Sequence, residues 1–203
     1  MKKTFIFVAL IVLMICSVRI SKADPVVFVA SLNGPSESPP NASLGTGFAI
    51  VTYDSVAHTL RVQVTFSGLT AGDTAAHIHC CTGSPFTGTA GVATITPTFT
   101  GFPANVTSGT YDHTFDLTLA SSWNPSFVTA EGSIANAEAA LATGLFSGTT
   151  YLNIHTSNFP GGEIRGFLVQ TPEPATMLLL GSGLAGLAFK LRRRRQAKMR
   201  EEG

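Results

Sequence analysis

Between residues 26 and 169 the chain alternates apolar and polar side chains in short runs, and Gly, Pro and Asn punctuate them. The clearest run is Leu60-Arg61-Val62-Gln63-Val64-Thr65-Phe66, whose strict alternation predicts a strand with one core face and one wet face. Strands are also expected at Val26–Ala30, Gly47–Tyr53, Ala75–His79, Gly91–Thr96, Tyr111–Leu119, Tyr151–His155 and Glu163–Val169. Gly34 to Pro40 breaks the first of them, and Gly68 to Asp73 reads as a loop. Only Ser133 to Thr143, rich in Ala and carrying Glu138, has helical character. About eight short strands and one short helix predict an all-β domain, a Greek-key-like β-sandwich or barrel.

The two ends follow a different pattern. Lys2 and Lys3 precede an apolar run from Phe5 to Ile15, and Ser21-Lys22-Ala23 supplies small residues at the −3 and −1 positions of a cleavage site. Residues 1–23 therefore read as a secretory signal peptide, because the run is shorter than the ~20 residues a spanning helix needs. At the other end, Pro172-Glu173-Pro174 leads into an apolar stretch from Ala175 to Phe189, followed by Lys190 and Arg192, Arg193, Arg194 and Arg195. Such a helix would span ~22 Å, so the basic residues would have to snorkel as a membrane stop. The positive cluster should stay cytoplasmic, which puts everything before Pro172 outside. Gly181-Ser182-Gly183-Leu184-Ala185-Gly186 fits a dinucleotide-binding pattern but lacks a preceding strand, so small residues for helix packing are the better account.

The order of Pro-Glu-Pro, spanning stretch and arginine cluster resembles the PEP-CTERM sorting signal of Gram-negative bacteria. The resemblance implies insertion in the inner membrane through residues 171–203, cleavage near Pro172-Glu173-Pro174 by an exosortase, and release to the cell surface or extracellular matrix.

Composition supports this division. Only 12% of the residues are charged, against about 25% in an average soluble chain. The formal charge of +1 hides a segregation. From residue 24 to 170 the basic residues are Arg61 and Arg165 and there are nine acidic ones, which gives −7. That charge excludes nucleic acid as a partner and leaves cations, basic surface proteins or a neutral exopolysaccharide. Cys16 leaves with the signal peptide. Cys80 and Cys81 are adjacent, so they can form a vicinal disulfide, pair with another chain or bind metal, but cannot staple the fold.

Candidate chemistry concentrates in three segments, Ala75-Ala76-His77-Ile78-His79-Cys80-Cys81, Tyr151-Leu152-Asn153-Ile154-His155-Thr156 and Pro160-Gly161-Gly162-Glu163-Ile164-Arg165-Gly166. Residues two apart on a strand share a face, so His77 and His79 point one way and Ile78 the other. If the three strands are neighbours, three imidazoles and the Glu163–Arg165 pair share one polar surface. Together with Asn33-Gly34, Glu37, Pro39-Pro40 and Gly68-Leu69-Thr70, these segments resemble the CHRD domain, named from chordin, over nearly all of residues 26 to 169. For bacterial members the resemblance implies an exported module with no established catalytic activity.

A fainter similarity links Gly68-Leu69, His77-Ile78-His79 and Arg165 to the copper strand of Cu/Zn superoxide dismutases. By that analogy His77, His79 and His155 would bind copper, or alternatively zinc. No histidine lies between Cys81 and Tyr111, so the bridging histidine and the zinc site of those enzymes have no counterpart. The favoured alternative is structural, with imidazoles donating hydrogen bonds that tie loops to the sheet and Glu163–Arg165 forming an exposed pair worth little. His58 and His113 read as surface residues. No nucleophile elbow is present and the acids are scattered, so a non-catalytic binding or structural module is expected rather than an enzyme.

Overall fold

The computed structural model describes residues 25–172, 180–187, 189–190 and 192. The domain is all-β. Its strands are β1 (Val26–Asn33), β2 (Thr46–Asp54), β3 (Thr59–Ser67), β4 (Asp73–His79), β5 (Gly109–Asp116), β6 (Tyr151–Thr156), β7 (Ile164–Phe167) and β8 (Val169–Gln170). All pair antiparallel in one curled sheet of order β4-β6-β7-β1-β2-β3-β5, with β8 also on β1. The alternation that announced β3 is realised, with Leu60, Val62, Val64 and Phe66 buried. They join Phe28, Ala30 and Leu32 of β1, Ala49 and Val51 of β2, Ile78 of β4, and Leu152 and Ile154 of β6 in one core.

Two helices cap this core. Helix α1 (Pro125–Glu131) was not expected, although Asn124 and Pro125 are an N-cap and N1 pair, and the Asn124 side chain accepts from the Ser126 amide. Helix α2 (Ile134–Ser147) starts where the sequence placed it, with Ser133 as N-cap, and inserts Ala137, Leu141 and Leu145 into the core. The expected strand at Gly91–Thr96 is replaced by isolated bridges, His79 to Val92 and Thr94 to Trp123. The cause is visible at the β4 edge. Thr94 Oγ1 and Thr98 Oγ1 accept the Ile78 and Ala76 amides, so side chains cover that edge instead of a regular ladder.

The expected signal peptide, residues 1–23, lies outside the described residues, as do Glu173, Pro174, Arg193, Arg194 and Arg195. Residues 180–187 are helical, and Leu180, Leu184 and Leu187 are exposed, so these leucines are not packed into the domain. No helix among the described residues is long and apolar enough to cross a membrane.

Candidate metal centre

The sheet register assembles the site. His77 lies opposite Asn153, His79 opposite Tyr151, and Ala75 opposite His155 across β4 and β6. Asn153 in turn lies opposite Arg165, and Tyr151 opposite Phe167, across β6 and β7. The period-2 pleat sends all of these side chains to the face away from the apolar core, while Ile78, Leu152, Ile154 and Ile164 fill the core side. Asn153 is thus the middle of a patch with three histidines on one side and Arg165 on the other.

The three imidazoles that the sequence singled out come together. Ring centroids are 4.9 Å apart for His77–His79, 4.7 Å for His77–His155 and 6.1 Å for His79–His155. One ligand nitrogen from each lies within 4.8 Å of the other two. Three nitrogens held at ~2.0–2.1 Å from one ion lie ~3.4–3.6 Å apart in tetrahedral or trigonal geometry, so closure takes a shift of up to about 1.2–1.4 Å in the widest pair.

Hydrogen bonding defines which nitrogens are available. His79 Nδ1 donates to the Ala90 carbonyl at 2.9 Å, and His155 Nδ1 to the Pro160 carbonyl at 2.9 Å. A carbonyl can only accept, so both Nδ1 atoms carry the proton and each neutral ring presents Nε2 as a lone pair. Those Nε2 atoms are buried without a partner, and so is His77 Nδ1. Burial holds the rings neutral. It drives His77 down to about 3, with His155 and His79 adding to the depression, and His79 down to about 4, with His155 and Arg165 adding to it against the pull of the Ala90 bond. His155 is lowered by the same burial, against the pull of its Pro160 bond. Three clustered neutral imidazoles, each with a buried and unpaired nitrogen, suit a borderline cation such as copper or zinc.

The surroundings hold the rings in place. His79 stacks on Tyr151, centroids 4.6 Å apart and planes 5° from parallel. The Arg165 guanidinium lies 4.8 Å from the same tyrosine ring. Arg165 also donates to the Ser36 and Gly88 carbonyls, which fastens residues 34–40 and the segment before Ala90 against the site.

Two further residues belong here that the sequence reading did not place in the site. Glu37 follows a 3-10 turn at Gly34–Ser36, is 6% exposed, and sets Oε2 3.7 Å from Arg165 Nε. Asn153 is 3% exposed. A Cβ built on Gly162, whose φ is 128°, would lie 2.7 Å from Glu37 Oε1 and 2.5 Å from Asn153 Nδ2, so only glycine fits beneath the two side chains. Burial raises the Glu37 carboxyl to about 7 despite the Arg165 charge.

The Glu163–Arg165 surface pair is corrected. Glu163 is fully buried and Arg165 is 4% exposed, and Arg165 is partnered by Glu37 instead. Glu163 lies just before β7 and gathers donors from three segments: Ser43 Oγ (2.6 Å), the Thr70 amide (2.7 Å), Thr70 Oγ1 (3.0 Å) and Thr156 Oγ1 (2.6 Å). His58 is a surface residue as expected, half exposed, and its Nδ1 lies 2.9 Å from Glu138 Oε2 on α2. Cys80 and Cys81 form a vicinal disulfide on the opposite side of the β4 end, against α2 near Gly144. A groove lined by Phe48, Ile50, Gln63, Thr65, Thr110 and Asp112 lies at the far end of the sheet and contains none of the histidines.

Comparison with known proteins follows this geometry. Residues 28–168 match the CHRD domain and residues 170–195 match the PEP-CTERM protein-sorting motif. The motif implies export, processing by an exosortase and sorting to the surface or beyond. No curated protein and no solved structure matches the chain.

Proposed function

The chain belongs to the CHRD-domain family, and we propose that its exported domain is a metal-binding module of the cell surface or matrix. In this reading one copper or zinc ion is held by His77, His79 and His155. The observation that carries it is the division of labour within the rings. Tying loops to the sheet accounts for Nδ1 of His79 and His155, but leaves both Nε2 atoms and His77 Nδ1 buried and unpaired. An unmade buried hydrogen bond costs about 1–3 kcal/mol, and three such atoms in one cluster of rings are better explained by a shared ligand. The carbonyl bonds on the far nitrogens are the kind that orient metal-binding histidines. The −7 charge of the exported segment favours cations around it.

The module acts by binding and not by catalysis. Its carboxylates are engaged in structural roles: Glu163 with serine and threonine donors, Glu138 with Tyr53 and His58, and Asp112 with Arg61. The test is metal analysis of full chain purified without a polyhistidine tag, beside a His77→Ala/His79→Ala variant. The expected result is about one copper or zinc per chain, lost in the variant. Near-zero metal in both after exposure to each ion would end the reading. Release by the exosortase predicts a mature C-terminus near Pro172, and an intact Arg195 on the surface form would contradict it.

A further inference from the structure

Five buried side-chain nitrogen or oxygen atoms among the described residues have no hydrogen-bond partner: Glu37 Oε1, His77 Nδ1, His79 Nε2, Asn153 Oδ1 and His155 Nε2. All five belong to the one patch described above. Three are the nitrogens assigned to the ion. The other two are oxygens, and the ion alone does not explain them.

Their placement is specific. Asn153 is the cross-strand partner of His77 and lies two residues from His155 on the same strand face. Glu37 reaches this patch from the turn after β1, is held from behind by Arg165, and meets the Asn153 carboxamide over Gly162. Both oxygens are acceptors. The Ser38 amide and the Asn153 side chain reach the ionised Glu37 carboxylate, but Oε1 and Asn153 Oδ1 themselves stay unpaired above a backbone without a Cβ, so what they lack is a protic ligand.

The geometry points to a hydrated ion: we propose that the ion held by the three histidines keeps at least one water molecule, whose protons are accepted by Glu37 Oε1 and Asn153 Oδ1. This rests on the metal reading and extends it. A three-histidine ion with one water has an open, exchangeable position, unlike a structural centre closed by four protein ligands. Glu37 and Asn153 are then positioning residues that hold the water and, through it, the ion. The ligand class of the site becomes small molecules able to displace one water.

The experiment loads the untagged full chain with Cu(II) and transfers it into D2O. Pulsed electron paramagnetic resonance then reads exchangeable deuterons at the copper. Wild type is expected to bind about one copper per chain and to show the deuteron modulation of coordinated D2O. Loss of outer hydrogen-bond partners typically weakens a metal 10–100-fold, so Glu37→Leu and Asn153→Leu, which remove the acceptors, should each lower copper affinity within that range. Asn153→Asp, which keeps an acceptor oxygen, should retain it. Circular dichroism and urea midpoints identify any variant that fails to fold, and the deuteron signal of wild type needs no variant. Copper bound at one per chain without coordinated deuterons overturns this proposal while leaving the metal reading intact. So does copper affinity within twofold of wild type in folded Glu37→Leu and Asn153→Leu. Failure of wild type to bind copper or zinc at all removes both.

Discussion

Replacing Glu163 tests whether a buried carboxylate is the clasp that holds the histidine face in register. Its oxygens accept four hydrogen bonds, from Ser43, twice from Thr70, and from Thr156, and none of its surface reaches solvent. In Glu163→Ala the three hydroxyls can rotate toward other acceptors, but the Thr70 amide cannot. Losing the acceptor of a buried N–H costs about 1–3 kcal/mol, and hydrogen bonds to a charged group contribute about 1.5–3 kcal/mol each. With the cavity added, and because these terms are not additive, a loss of about 4–5 kcal/mol is expected. Against a total of about 5–15 kcal/mol, that brings the domain close to unfolding. Glu163→Gln keeps one oxygen for Ser43 and the Thr70 amide, and turns its NH2 toward hydroxyls that can accept, so the loss should be only about 1–2 kcal/mol. The assay is urea unfolding of all three proteins at pH 7, read as a shift in midpoint at constant slope. Acid adds a second arm. Burial pushes the Glu163 carboxyl up, but the bonds from Ser43, Thr156 and Thr70 outweigh it and its pKa falls below the ordinary value. A depressed carboxyl stabilises the fold above its unfolded pKa of about 4.3, and that contribution disappears as pH falls through the lower folded value. Wild type should therefore lose its advantage over Glu163→Gln below about pH 4. An alanine variant within about 1 kcal/mol of wild type would refute the reasoning.

Three further outcomes follow from the same coordinates. Gly144 sits on α2, where alanine is normally better by about 1 kcal/mol, but an added Cβ would lie 2.5 Å from Cys80 Sγ and from Thr150 Oγ1. Gly144→Ala should therefore lower stability by about 1–3 kcal/mol, and a raised urea midpoint would contradict the packing. In metal-free protein, Glu37 holds a proton from its ordinary 4.5 up to about 7 that the unfolded chain releases. Its contribution to stability must fall as pH rises through that window. The stability of Glu37→Gln relative to wild type should thus improve from pH 5 to pH 8, and a constant difference would be the wrong result. Because burial keeps His77 near 3 and His79 near 4, protons do not compete with a metal at neutral pH. Zinc affinity measured by chelator competition in Glu37→Gln, where that carboxyl no longer titrates, should change little as pH falls through about 6.5, and a steep fall beginning there would mean exposed, ordinary imidazoles.

The legible part of this molecule is the part controlled by local periodicity. Alternation located β2, β3 and β6 nearly to their ends, and the two-residue spacing of His77 and His79 put them on one face before any contact was known. What sequence could not reveal is long-range exchange of partners. Glu163 and Arg165 stand two residues apart with opposite charge and read as a pair, yet each is bound by groups more than 70 residues away along the chain, apart from Thr156 on Glu163 and the Tyr151 ring on Arg165. Glu37 lies in a Pro- and Ser-rich turn, where nothing in the local pattern signals a buried acid. Asn153 sits between Leu152 and Ile154 as an ordinary wet-face residue, and becomes central only because β6 has β4 on one side and β7 on the other. The Gly91–Thr96 segment has the composition of a strand, but threonine hydroxyls take the β4 amides that a ladder would need.

The site is assembled by the polypeptide before any ion arrives. His79 is fixed by Ala90 and Tyr151, Tyr151 lies under Arg165, Arg165 is fixed by Ser36 and Gly88, and His155 is fixed by Pro160. Three loops are tied to this one face by bonds that require no metal, and the apolar core lies on the other side of the same strands. The domain therefore differs in kind from a zinc finger, where ligand binding and folding are one event. Here an ion adds only the linkage of an ordinary ligand, about 2.7 kcal/mol at a hundredfold excess over its dissociation constant. The rigidity also bears on the water. A side-chain shift brings the three nitrogens to an ion while the strand backbone stays fixed, and it leaves the Glu37 and Asn153 oxygens unpaired. In the proposed reading the two remaining acceptors are satisfied by something mobile, so the exchangeable ligand and the preformed face are consequences of the same architecture.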